Sequence, residues 1–195
     1  MITSKKEYKY YLEADRLAFN KKGKPRIIGD IVWKFQRLLR KVEYYMNCKK
    51  SILSKPFYLF FLLRYYLLGI RLGFSIPPNV FGPGLCIVHR GTIVIAEGAK
   101  IGANCRIHAC VNIGTKAGYE NLVPKIGNNV YIGPGVKIYG DIEIADGIAV
   151  GANAVVNKSF HEPGISIGGV PAKKISEKGS EGMLTKATEI LAEST

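Results

Sequence analysis

From Ile95 onward an aliphatic residue recurs at every sixth position: Ile95, Ile101, Ile107 and Ile113, then, past an interruption, Ile126, Ile132, Ile138, Ile144, Val150 and Val156. A second apolar series precedes it by two, through Ala99, Cys105, Val111, Val130, Val136, Ile142, Ile148 and Ala154. A helix repeats near 3.6 residues and a strand at 2, so neither alone makes this pattern. Two inward positions two apart describe a very short strand, because side chains alternate faces along it. Between the strands lie Gly102-Ala103-Asn104, Gly127-Asn128-Asn129, Gly133-Pro134-Gly135, Ala145-Asp146-Gly147 and Gly151-Ala152-Asn153. Gly and Asn collect where a corner needs positive φ. Strand and corner alternating at fixed length predict a solenoid, and the six-residue period predicts a parallel β-helix. The beat breaks once, where "TKAGYENLVP" (residues 115–124) predicts a loop pushed out of the solenoid, a place that commonly carries binding residues.

The first 75 residues are patterned differently and predict helices at about 4–20, 29–47 and 54–72. In "GDIVWKFQRLLRKVEYY", Ile31, Phe35, Leu38, Leu39 and Val42 fall at helical spacing, with Pro25 a break before it and Asp30 the expected N-cap. The third segment, "KPFYLFFLLRYYLLGIRLGF", is apolar, but Arg64 interrupts it after eight uncharged residues. A bilayer span needs about 20, so this helix is not expected to cross a membrane.

Charge sharpens the division. The chain carries a net +13, and residues 1–75 hold 17 Lys and Arg against five acids. Two readings of this basic, aromatic segment are open: packing against the β-helix or a neighbouring subunit, or resting on an anionic membrane surface through Lys49, Lys50, Lys55, Arg64 and Arg71. No nucleic-acid-binding fold accompanies the charge, so no nucleic-acid partner is expected. Cys48, Cys86, Cys105 and Cys110 show no metal-ligand spacing and read as reduced core thiols; no metal is expected. The polar start "MITSKKEYKYYLEADR" is unlike a secretory leader, which points to the cytoplasm.

The repeat resembles that of the hexapeptide-repeat acyltransferases over residues 76–176, and through "GPGLCIVHRGTIVI", "VNIGTKAG", "PKIGNNVYIGPGVKIYGDIEIADGIAVGANAVV" and "GGVPAKKI" it is most similar to their serine acetyltransferase branch. The resemblance implies a left-handed, three-sided β-helix, a homotrimer, and acetyl-CoA as co-substrate. It implies a CoA groove between subunits against Gly114, Gly133, Pro134, Gly151 and Ala152, with Lys158, Lys173 and Lys174 towards the adenosine 3′-phosphate. It also implies that the 115–124 loop reaches a neighbouring subunit.

Acetyl transfer to a hydroxyl needs a base to take the alcohol proton as the thioester carbon is attacked, and histidine suits this near neutral pH. The chain offers His89, His108 and His161. His89, in "CIVHRGTIVI", matches the context of the branch's essential histidine and is the expected catalytic base. His108, 19 residues on, is a candidate acceptor contact, and His161 reads as structural. No Cys or Ser stands in a nucleophile motif, so direct transfer is expected. The sequence departs from the branch at three places. The acid before the essential histidine is Val88, an Asp-Ile-His of the acceptor pocket is "SIPPN" (residues 75–79), and a second histidine is Val123 in "LVPKIG". Those losses predict a larger, neutral acceptor walled by Arg90, His108 and Tyr119: a sugar hydroxyl, on a small molecule or a lipid-linked glycan, in cell-surface polysaccharide assembly at the inner membrane face. The alternatives are a serine O-acetyltransferase of cysteine synthesis, an amino-sugar N-acetyltransferase, and a non-enzymatic scaffold. The ending "LAEST" lacks the terminal Ile expected of the first of these. The expected organisation is a helical region 1–75, a β-helix 76–176, and a tail 177–195 with a short helix.

Overall fold

In the computed structural model, which describes residues 1–193, the chain winds into a left-handed parallel β-helix preceded by three α-helices. Ser194 and Thr195, and with them the argument from the chain's ending, lie outside the described residues. One face of the prism stacks Phe74–Ser75, Ile93–Ile95, Val111–Gly114, Lys137–Tyr139 and Val155–Val156. A second stacks Lys100–Ile101, Lys125–Ile126 and Glu143–Ile144. A third stacks Cys86–Ile87, Arg106–Ile107, Tyr131–Ile132, Ala149–Val150 and Ser166–Gly168, closed by the antiparallel Lys173–Ser176.

Register places like upon like. Ile95, Ile113, Ile138 and Val156 form one ladder. Ile87, Ile107, Ile132, Val150 and Ile167 form another, and Ile101, Ile126 and Ile144 a third. No member is more than 4% exposed. Burying an aliphatic side chain stabilises by about 1.5–3 kcal/mol, so these ladders are the main source of cohesion. The second series is buried as well, Ile142 being its most exposed member at 6%. The last residue of each corner takes positive φ: Asn104, Asn129, Gly135, Gly147 and Asn153. The 115–124 loop lengthens one coil to 25 residues, seen in the pairs Ile101–Ile126, Ile107–Ile132 and Ile113–Ile138, and leaves the stacking intact.

Helices α1 (Lys5–Ala18), α2 (Ile31–Cys48) and α3 (Lys55–Leu72) cover the start of the solenoid. The first coil has an open sheet edge, and α1 and α2 satisfy it with side chains. Gln36 donates from Nε2 to Leu85 O (2.7 Å) and accepts from Ile87 N (2.9 Å), taking the place of a strand. Asp15 Oδ1 accepts from Gly84 N and Leu85 N, both at 2.9 Å. Arg40, wholly buried, binds Asp15, Glu43, and the carbonyls of Phe81 and Gly82. Phe35 packs on Tyr65 and Phe74, with ring centroids 5.1 and 5.0 Å apart, while the Tyr65 hydroxyl donates to Ile76 O. Only one face of α3 is thereby covered; Phe57, Leu63, Tyr66, Leu67 and Ile70 are exposed. None of the helices in the described residues is long and apolar enough to cross a membrane.

Two expectations change. Asp30 stands at the N-cap position with φ 46° and no side-chain cap bond. Its carboxylate instead takes the Arg26 amide and the side chains of Lys21 and Arg26, which hold its pKa well below the usual range and tie down the loop before α2. The cysteines are not all core thiols: Cys86 and Cys105 are buried, but Cys110 is exposed. Cys110 has φ 63°, the corner position that Gly or Asn fills elsewhere. After the coils, α4 (Ala187–Glu193) returns to pack near α1, with Ala187 joining Ala14, Ala18 and Cys86.

Candidate active site

The corners joining the third face to the first stack along one edge of the prism. Successive coils place there His89 and Arg90, then His108, then Gly133 and Pro134, then Gly151 and Ala152. In the first coil this corner is longer: the inward Ile87 and Ile95 are eight positions apart, where Ile107 and Ile113 are six. The two extra residues, with Gly91 at φ 133°, push His89 and Arg90 outward, and both are exposed.

His108 follows the inward Ile107, and its amide donates to Ile132 O of the next coil at 3.2 Å. Its ring centroid lies 6.1 Å from that of His89 and 5.1 Å from that of Tyr131. Nε2 of His108 is buried with no hydrogen-bond partner, as is Nε of Arg106. A buried polar atom without a partner is rare enough to ask what supplies one. Burial first, then the Arg106 and His89 charges, hold the His108 pKa below its ordinary value, which keeps the ring neutral near pH 7. Among the described residues no carboxylate hydrogen-bonds either imidazole. Val88, beside His89, packs against the Ala14, Ala18 and Ala187 cluster.

The glycines expected along the donor groove differ in what surrounds them. A Cβ on Gly133 would lie 2.8 Å from Val150 O and 2.9 Å from Ala152 N, so coil stacking alone requires glycine there. On Gly151 it would meet nothing closer than 3.4 Å, and on Gly114 the side chains of Asn112 at 3.1 Å and Tyr139 at 4.0 Å. Contact with neighbouring backbone therefore does not by itself require glycine at those two positions.

The remaining expected site residues lie elsewhere. Gly114, Tyr119 and Lys158 occupy the edge between the first and second faces, where the 115–124 loop emerges. Tyr119 is exposed, with the Lys116 ammonium 5.4 Å from its ring centroid, and the loop shelters a recess of about 310 Å³ lined by Glu97, Lys100, Glu120 and Asp141. Lys174 Nζ is 2.6 Å from Glu162 and 2.8 Å from Glu177, so its charge is already matched, whereas Lys173, likewise exposed, has no ion pair among the described residues. His161 sits on the third edge, next to Glu143. Sequence reasoning missed Arg106 and Tyr131. Both occupy outward positions in register with Cys86 on the third face, so coil arithmetic from His108 leads to them.

Residues 124–158 match the family described as bacterial transferase hexapeptide (six repeats). Serine acetyltransferase of Buchnera aphidicola subsp. Schizaphis graminum is 38% identical over 103 residues, 52% of this chain and 39% of that one. The chain therefore spans about two fifths of the length of this relative. Among solved structures, serine acetyltransferase of Brucella abortus S19 superposes with a TM-score of 0.71 at 24% identity, over 90% of this chain and 71% of that one. The Neisseria gonorrhoeae serine acetyltransferase, solved in complex with serine, gives 0.67 at 25% identity over 89% of this chain and 71% of that one.

These relatives overturn the expected polysaccharide acceptor, since each is named for serine. Arg90 and His108 share an edge, but Tyr119 is on another, so the wall foreseen for a sugar ring is not assembled within one chain.

Proposed function

We propose that the chain is an acetyl-CoA-dependent O-acetyltransferase that acetylates the hydroxyl of L-serine, with His89 as general base. The observation that carries this reading is the widened corner, which lifts His89 and Arg90 out of the coil wall beside the unpartnered His108 Nε2. His89 takes the proton of the serine hydroxyl as its oxygen attacks the thioester carbon. A backbone N–H holds the oxyanion that forms, and collapse expels the CoA thiolate, which recovers the proton from the imidazolium. Arg90 offers a cation to the acceptor carboxylate, and neutral His108 a hydrogen bond. Where the resembling enzymes place an acid next to the base, Val88 gives His89 no carboxylate of its own chain to orient it.

Trimeric assembly belongs to the same reading. Gly114, Tyr119 and Lys158 on one edge and His89 on another form a single groove only if the edges of two copies meet. The CoA groove against Gly114 and Gly151, with Lys158 and Lys173 towards its phosphates, depends on that meeting.

The test is thiol release from acetyl-CoA with L-serine, alongside detection of O-acetylserine. His89→Ala is expected to lower kcat by roughly 10²- to 10⁴-fold with acetyl-CoA affinity nearly unchanged. Absence of serine-dependent thiol release from the wild type would remove serine as acceptor. Undiminished turnover in His89→Ala would transfer the base to His108.

A further inference from the structure

Helices α2 and α3 leave between them a recess of about 430 Å³, bounded by Pro25 and Tyr8 and lined by five cationic residues: Lys34, Arg37 and Lys41 from α2, and Arg64 and Arg71 from α3. Their spacing is helical: 34, 37 and 41 share one face of α2, and 64 and 71, seven apart, share one face of α3. Among the described residues none of the five is ion-paired with a carboxylate. Asp30, at the head of α2, is already taken by Lys21 and Arg26. The contacts the cations do make orient them and leave their charge standing. Lys34 Nζ donates to Ile27 O, and the Lys41 ammonium lies 4.1 Å from the Phe61 ring centroid. Like charges gathered around a concave, partly apolar recess raise its potential and cost stability, a strain that a bound anion relieves. Arg side chains supply the forked donors that fit phosphate oxygens, and the volume suits a small ligand.

We propose that this recess is a binding site for a phosphate-bearing ligand, separate from the groove at His89. The phosphate has two possible carriers, a soluble phosphate ester or an anionic lipid headgroup. The exposed Leu67 of α3 and Ile27 and Ile28 of the loop before α2 are the apolar contacts a lipid would use. The site rests on the helices alone, so acetyl transfer is not its readout.

The experiment has two arms on the full chain. Calorimetry with inorganic pyrophosphate probes the soluble source. Sedimentation with vesicles of equal parts phosphatidylcholine and phosphatidylglycerol, against phosphatidylcholine alone, probes the lipid source. Arg37→Gln combined with Arg64→Gln should weaken whichever response the wild type gives by roughly tenfold or more, with Arg37→Lys and Arg64→Lys retaining part of it. Lys5→Gln with Lys6→Gln, exposed on α1, removes the same charge outside the recess and should leave the response unchanged. Pyrophosphate binding lost in the recess variant assigns a soluble ligand, and anionic-vesicle binding lost in it assigns a lipid headgroup. No response in either arm, or equal loss in the Lys5/Lys6 control, overturns the proposal, and circular dichroism of each variant shows that the fold is retained.

Discussion

Cys110 holds a left-handed conformation with φ 63° in the corner beside His108, where the matching corners end in Asn or Gly. A Cβ-bearing residue there costs roughly 1–2 kcal/mol, and Asn is the side chain that tolerates it best. Cys110→Asn is therefore expected to stabilise the chain by about 0.5–1 kcal/mol in denaturant titration, and its main-chain carbonyl still receives the Lys137 ammonium. Two positions away, His108 makes stability depend on pH. Its folded pKa is lowered, chiefly by burial, so in mild acid the unfolded chain binds the proton more readily than the folded one. The contribution is complete above the ordinary histidine pKa near 6.5 and is lost as pH falls towards the folded value. Thermal denaturation between pH 7.5 and 5 should show stability declining in acid, with a shallower decline in His108→Gln. An equal decline in both proteins would place the titrating group elsewhere.

At the scale of elements, the coils were legible in sequence and the cap was not. Every aliphatic of the two six-residue series is buried, because one short strand per side leaves each inward position no alternative. The hydrophobic pattern also indicates three helices, and their observed bounds fall within two residues of the expected ones. What pattern does not encode is that Asp15, Gln36 and Arg40, polar residues that read as helix surface, turn inward to satisfy the first coil's backbone. Pairings across tens of residues leave no periodic trace. Asp30 misleads for a related reason, since its identity fits an N-cap while Lys21 and Arg26 compete for its carboxylate. The cap has a measurable weight. Arg40→Ala would leave Asp15 and Glu43 buried without their cation, a loss of about 3–5 kcal/mol. Gln36→Ala would strand Leu85 O and Ile87 N, at about 1–3 kcal/mol for each unsatisfied group. Either variant should unfold at lower denaturant, with the N-terminal helices exchanging amide protons first.

For the whole molecule, the division of expected site residues between two prism edges makes assembly the decisive measurement. Light scattering is expected to give three times the 21.5 kDa chain mass. Mixing His89→Ala with a Gly114→Trp variant, each inactive alone, should restore part of the turnover, because a mixed trimer contains some grooves built from two unmutated edges. A monomer with full activity would refute the shared groove. His89 and His108 were recognisable as candidates from residue type and spacing. Their place on one edge, with Tyr119 on another, depends on the coil in which each falls and on the two extra residues at the first corner. A stack of parallel strands also has two ends, and an end left bare would accept the next molecule's strand and propagate into a fibre. Here one end is closed by side chains from α1 and α2, and the other by a reversed strand bearing Lys173 and Lys174. Those two lysines thereby guard the free edge of the last strand against a neighbouring chain, whatever they contribute to a phosphate. Replacing both with valine should turn a sharply defined particle into one whose scattering grows with concentration and time.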